Sequence, residues 1–160
     1  MISDCCRGLI LCWCIGFRYI VCNPVTNKWW LLLDKNRSFG SARLGFDPTI
    51  SSHFHVIEYG KKRASESIGV SIYSSKSVAW MFKETEWGEG VVRTYSTSAF
   101  LNGFMHWLEL SQIVAIDSRE RHGGKFVGHV VKQSPSMKLY ANCVYVLLVC
   151  SESISFHSGS

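Results

Sequence analysis

The 160-residue chain carries almost no helix signal. Nowhere does an apolar stripe at i, i+3, i+4 and i+7 run behind a capping residue, which excludes a helical fold. Catalytic signatures are missing too: there is no G-x-S-x-G elbow, no phosphate-cradling P-loop and no G-x-G-x-x-G. No apolar run reaches the roughly 20 residues that a bilayer-spanning helix needs. An even, dispersed cysteine framework is absent as well. The cysteines number seven, and five of them (Cys5, Cys6, Cys12, Cys14, Cys22) crowd into the first 22 residues. That pattern excludes a small disulfide-stapled secreted scaffold. It fits free thiols that pack as small hydrophobes in a reducing, intracellular compartment, cytoplasmic or nuclear. The stretch from Gly8 to Phe17 imitates a signal peptide. However, Asp4 precedes it, Arg7 is the only basic side chain upstream, and no small-residue cleavage site follows. It reads instead as a buried strand.

What the chain does have is apolar and aromatic mass. It is 47% hydrophobic and 13% aromatic, enough for a core and too much for disorder. The net charge of +5 is spread along the chain, with Lys61-Lys62-Arg63 its densest cluster. This triplet reads as a solvated loop between strands, since surfaces that bind phosphate backbones are larger. Neither a nucleic acid nor a membrane is therefore expected as a partner. His53 and His55 share one face of a strand, but no third metal ligand stands at a recognisable spacing. Cys12 and Cys14 share a face in the same way, without a C-x-x-C partner, and read as core packing. Asp47 and Glu58 fall in separate segments, and Asp47-Pro48 starts a turn. A Cys-His nucleophilic pair has no local signature. The expectation is a protein with no catalytic residue, no cofactor and no metal, and so not an enzyme. Trp87, after Glu84-Thr85-Glu86, reads as an internal packing residue, with an exposed partner anchor as the alternative.

Strand signals are frequent. Leu9 to Ile15 and Tyr19 to Cys22 are followed by the turn chemistry of Asn23-Pro24-Val25-Thr26-Asn27-Lys28 and a returning run from Trp29 to Leu33. His53 to Tyr59 and Gly69 to Tyr73 alternate. Ser74 to Ser77 then turns, and Val78 to Phe82 returns. Ala99 to Leu101 and Phe104 to Leu108 flank Asn102-Gly103, a dipeptide typical of tight hairpins. Ile113 to Ile116 is one more short strand. The pieces repeat. The Val21 to Trp29 segment lines up with Ile72 to Trp80 at an offset of 51, and Arg7-Gly8 lines up with Asn102-Gly103 at an offset of 95. A period of about 40 to 50 residues with about four strands is what propeller blades show. The structural repeat positions are Asn23, Pro24, Trp29, Ser74, Trp80, Asn102 and Gly103, with the tryptophans expected to pack blade on blade.

Taken in order, several segments resemble a known family. They are Ser3 to Cys12, Val21 to Trp29, Arg43-Leu44-Gly45-Phe46-Asp47-Pro48, Ser52 to Val56, Ile72 to Lys76 with Trp80, and Phe100 to Leu108. Together they resemble the F-box-associated, kelch-like β-propeller domain of plant F-box proteins, over residues 3 to 118. In that family an N-terminal F-box docks the Skp-type adaptor of a cullin-RING ubiquitin ligase, and the propeller captures the substrate protein. The resemblance implies an all-β partial propeller of about three blades over residues 1–118, and a divergent segment over residues 119–160. That segment reads either as a degenerate blade with a polar tail or as the product of altered reading or splicing. The chain opens inside the first blade, so no F-box helices are expected. The implied function is a protein-interaction module for an unknown substrate protein, engaging the adaptor only if an F-box is supplied elsewhere. The alternatives are a non-functional or dominant-interfering truncated fragment, or a small β-sheet nucleic-acid binder.

Overall fold

The computed structural model describes residues 1–14, 18–32, 38–62, 67–85, 97–109, 112–118 and 128–132. These contain strands and, among the described residues, no helix. The first sheet holds β1 (Ile2–Cys6), β2 (Leu9–Cys14), β3 (Arg18–Asn23) and β4 (Lys28–Leu32). The second holds β5 (Ser38–Gly45), β6 (His55–Lys62), β7 (Ile68–Ser74) and β8 (Ala79–Glu84). The third holds β9 (Thr97–Leu101), β10 (Phe104–Glu109), β11 (Gln112–Asp117) and β12 (Gly128–Lys132). In each four-stranded sheet every strand pairs antiparallel with its sequence neighbour, a meander without crossover. These are three blades of a propeller, the all-β architecture expected from the repeat.

Two kinds of turn recur. Arg7-Gly8 joins β1 to β2 with φ of 43° and 83°, and Asn102-Gly103 joins β9 to β10 with φ of 52° and 81°. Positive φ at both central residues suits the right-handed twist of the flanking strands, and glycine takes the second place at no steric cost. The second kind joins the outer strands. Residues 24–27 and 75–78 form four-residue turns closed by Asn23↔Lys28 and Ser74↔Ala79. Asn23 Oδ1 accepts from the Val25 and Thr26 amides at 3.0 and 3.2 Å, and Ser74 Oγ accepts from the Lys76 amide at 3.3 Å. Both turns end on a left-handed residue, Asn27 at φ 52° and Val78 at φ 55°. Val78 therefore belongs to the turn and not to the returning strand.

The core lies between the blades. Leu9, Leu11, Tyr19, Val21 and Leu32 of the first blade pack on Ala42, Leu44, Phe54, Val56 and Tyr73 of the second. On its other side the second blade offers Ile57, Tyr59, Val70 and Ile72 to Phe100, Met105, Trp107, Val114 and Ile116 of the third. The middle blade is thus covered on both faces, and β7 is buried along nearly its whole length. Each such side chain contributes about 1.5–3 kcal/mol when fully buried. Strands β1, β5 and β9 approach one another and form the inner edge of the array. There the spacing is tight: a Cβ on Gly45 would lie 2.6 Å from two carbons of the Phe100 ring.

Polar bonds tie the first two blades as well. Tyr19 Oη donates to Glu58 Oε1 at 2.9 Å, a buried bond from β3 to β6. Asp4 Oδ2 accepts from the Leu44 amide at 2.8 Å, and Cys6 Sγ donates to the Phe46 carbonyl at 3.3 Å. Three strands carry no pattern in the sequence: β1, β5 and β12. β1 contains Ser3 and Asp4, and β5 is rich in glycine and serine. Their strand state comes from ladder partners. β12 pairs with β11, so the third sheet extends past residue 118.

Candidate functional site

All the tight turns described above open at one end of the array. There the second and third blades enclose a cleft of about 200 Å³. Its outer wall is the β5–β6 connection, residues 46–54, which contributes Asp47, Ile50, Ser51 and His53. The Asp47 carboxylate shapes this loop, accepting from the Thr49 amide and hydroxyl at 3.1 and 2.7 Å. The Asp47 carbonyl accepts from Ile50 and Ser51 at 3.0 and 2.9 Å, a one-turn wrap started by the Asp-Pro pair. The loop is pinned to the next turn by a reciprocal pair: Phe54 N to Ser75 Oγ at 2.9 Å and Ser75 N to Phe54 O at 3.0 Å.

His55, Ser74 and Lys76 line the near side of the cleft, with Phe100, Gly103 and Ser118 on the far side. Phe100 is buried and forms an apolar base. The Ser118 amide and hydroxyl both donate to the Gly103 carbonyl, at 3.0 and 2.9 Å, and fix that wall. At the rim Ile50 is 55% exposed and Lys76 is exposed. An apolar base, an apolar rim residue and a lysine with two histidines make a surface suited to gripping a polypeptide side chain.

Groups with displaced acidity lie away from this cleft. Burial raises the Asp4 carboxyl above its ordinary value, opposed by the amides of Leu44 and Cys5 and by the Arg43 charge. Burial lowers His106, opposed by hydrogen bonding to the backbone of Ala99 and Phe104. The Cys12 thiol is pushed up by burial and by neighbouring Cys22, which makes it a poor nucleophile. Among the described residues no group of three or more His, Cys, Asp or Glu side chains is placed to hold a metal. No helix among them is long and apolar enough to cross a membrane.

The repeat positions fall as follows. Asn23 and Pro24 lie at the first outer turn and Ser74 at the second, while Asn102-Gly103 forms the β9–β10 turn. Trp29 and Trp80 occupy the same rung of their blades, opposite Cys22 and Tyr73. Their surroundings differ. Trp80 packs against Tyr19 of the first blade, ring centroids 6.4 Å apart, and against Tyr73 at 5.5 Å. Trp29 is 68% exposed, because among the described residues no sheet lies on that side of the first blade. The strand residues Cys12 and Cys14 do share a face. His53 and His55 both line the cleft, though His53 precedes the strand. Ser74 and Gly103 are the two repeat positions that also line it. Sequence reasoning missed Ile50, Lys76 and Ser118, whose only signal was membership of polar connections. Trp87, Arg63 and the run from Ala141 to Cys150 lie outside the described residues.

Comparison with known proteins agrees with this geometry. "Putative F-box only protein 15" of Arabidopsis thaliana is 24% identical over 165 aligned residues, which take in 96% of this chain and 39% of that protein. The chain thus spans about two fifths of the length of that curated relative. No solved structure matches it significantly. The family profile described as "F-box associated beta propeller domain" matches residues 1–126. That stretch contains β1 to β11, and the chain belongs to the F-box-associated β-propeller family.

Proposed function

We propose that this chain is the substrate-capturing part of an F-box-type receptor of a cullin-RING ubiquitin ligase, acting by binding a protein and not by catalysis. The observation that carries the reading is the cleft between the second and third blades, built from connections at one end of a family propeller. Connections on a rigid sheet scaffold are where binding residues concentrate. Ile50 and Lys76 are its exposed rim and would meet the partner first. The adaptor would be engaged only through an F-box, whether encoded with this domain or fused to it. Free thiols at Cys5, Cys6, Cys12, Cys14 and Cys22 support work in a reducing, intracellular compartment.

The test uses the chain alone, the chain fused behind an F-box, and the fusion carrying Ile50→Arg and Lys76→Glu. Only the fusions should retain a Skp-type adaptor. The proteins enriched by the parent fusion over the F-box alone should be depleted in the double variant. Equal enrichment with and without the two substitutions refutes the cleft as the capture site.

A further inference from the structure

The cleft between the second and third blades is small and sorted by chemistry. Its volume of about 200 Å³ lies below the roughly 300–1,000 Å³ of small-molecule sites, which suits one side chain of a longer polymer. At its base the Phe100 ring, 7% exposed, offers an apolar seat. Ile50 stands at the rim. An apolar side chain entering the cleft therefore meets carbon at its tip and along one flank.

One wall is polar. Ser74 and Lys76 come from the connection of β7 to β8, and the Ser74 hydroxyl oxygen accepts from the Lys76 amide at 3.3 Å. That bond uses an oxygen lone pair and leaves the hydroxyl proton to donate. Lys76 is exposed, and the half-buried His53 and His55 add two imidazoles to the lining. The single acidic side chain on the lining is Asp47. It is 8% exposed, and its Oδ1 already accepts from the amide and the hydroxyl of Thr49. Two donors on one carboxylate offset its charge towards the cleft. The charge that the lining offers to an incoming group is thus the Lys76 ammonium. The whole chain adds to this field: 17 Lys and Arg stand against 12 Asp and Glu, a net +5, which draws acidic partners and repels basic ones.

We infer, resting on the cleft as the capture site, that the segment it takes is an apolar residue flanked by Asp or Glu. The apolar side chain seats on Phe100 beside Ile50. The neighbouring carboxylate meets Lys76, with the Ser74 hydroxyl as a second donor on that wall. Apolar burial supplies most of the affinity, and the carboxylate decides which apolar segments are accepted.

Three blocked peptides test this by amide chemical-shift titration of the isotope-labelled full chain. They are acetyl-Gly-Glu-Leu-Glu-Gly-amide, its form with both Glu replaced by Gln, and its form with Leu replaced by Ser. The acidic leucine peptide should move the amides of Ile50, Ser74, Lys76 and Ser118 and saturate at millimolar concentration. The Gln form should bind about two- to fivefold more weakly, the size of an exposed ion pair, and added salt should close that gap. The Ser form should lose about tenfold or more, because the seat on Phe100 is left empty. Lys76→Met should weaken the acidic peptide as much as Gln does and leave the Gln peptide unchanged, while Lys76→Arg should bind as the parent does. Equal affinity for the Glu and Gln peptides overturns the inference. So does an acidic peptide that moves other amides and not these, or none. The titration contains no ligase component, so the two readings fail separately. Loss of captured proteins in the Ile50→Arg, Lys76→Glu fusion, together with equal Glu and Gln affinities, leaves the capture site standing and overturns its preference for acidic segments. Equal enrichment in that fusion experiment overturns the capture site and this inference with it.

Discussion

Replacing Tyr19 by Phe removes one oxygen from the junction between the first two blades and leaves the packing in place. The ring keeps its position against Trp80, with centroids 6.4 Å apart, while Glu58 loses the donor that lies 2.9 Å from its Oε1. Glu58 is only 3% exposed, so bulk water has little access to replace that donor. Removing one partner of a buried hydrogen bond costs about 1–3 kcal/mol. In a chain of this size each kcal/mol moves the melting temperature by about 2–4 °C, so Tyr19→Phe should lower it by about 2–12 °C. Urea unfolding followed by tryptophan fluorescence measures the free energy directly. A double-mutant cycle with Glu58→Gln separates the pair from the rest of the junction, and their coupling should reach about 1 kcal/mol. A loss under about 0.3 kcal/mol, with no coupling, would refute the claim that this bond docks the first blade on the second.

Two other perturbations bear on the turns and the third blade. Val78 holds φ at 55° with 73% of its surface exposed, and Asn27 holds the equivalent place at 52°. Left-handed backbone costs a side chain like valine about 1–2 kcal/mol, which asparagine largely avoids, so Val78→Asn should raise the urea midpoint; a lower midpoint would contradict it. His106 is held below its ordinary 6.5 by burial. The unfolded chain then binds this proton more readily, so stability falls as pH drops through 6.5 towards the folded value. His106→Gln should narrow the stability lost between about pH 7 and about pH 5 relative to the parent, and an unchanged loss would refute the assignment.

Much of the architecture was legible in residue order because strand and turn chemistry are local. Asn102-Gly103 specifies a tight hairpin through two positive φ values, whatever lies around it. Asn23 and Ser74 mark the outer turns because a short side-chain oxygen can accept from amides two and three residues on. The inner strands β1 and β5 were not legible. Ile2–Cys6 and Ser38–Gly45 lack the period-two alternation of a half-buried strand. At the inner edge they meet neighbouring blades closely, where Gly45 accommodates Phe100 and Asp4 is held by the Leu44 amide. The cleft was equally hidden, because its residues come from the 46–54 loop, a turn in the same blade and the far end of the next.

The sequence by itself determined that the chain is all β, that its units return about every 51 residues between Trp29 and Trp80, and where its hairpins turn. Backbone dihedral preferences and side-chain alternation act over a few residues, so they survive in a linear reading. Only the tertiary structure decided which of two equivalent tryptophans is covered and which faces water, and which loops converge on a cavity. Those are properties of neighbouring sheets, and burial depends on what stands opposite a face rather than on the residues that compose it.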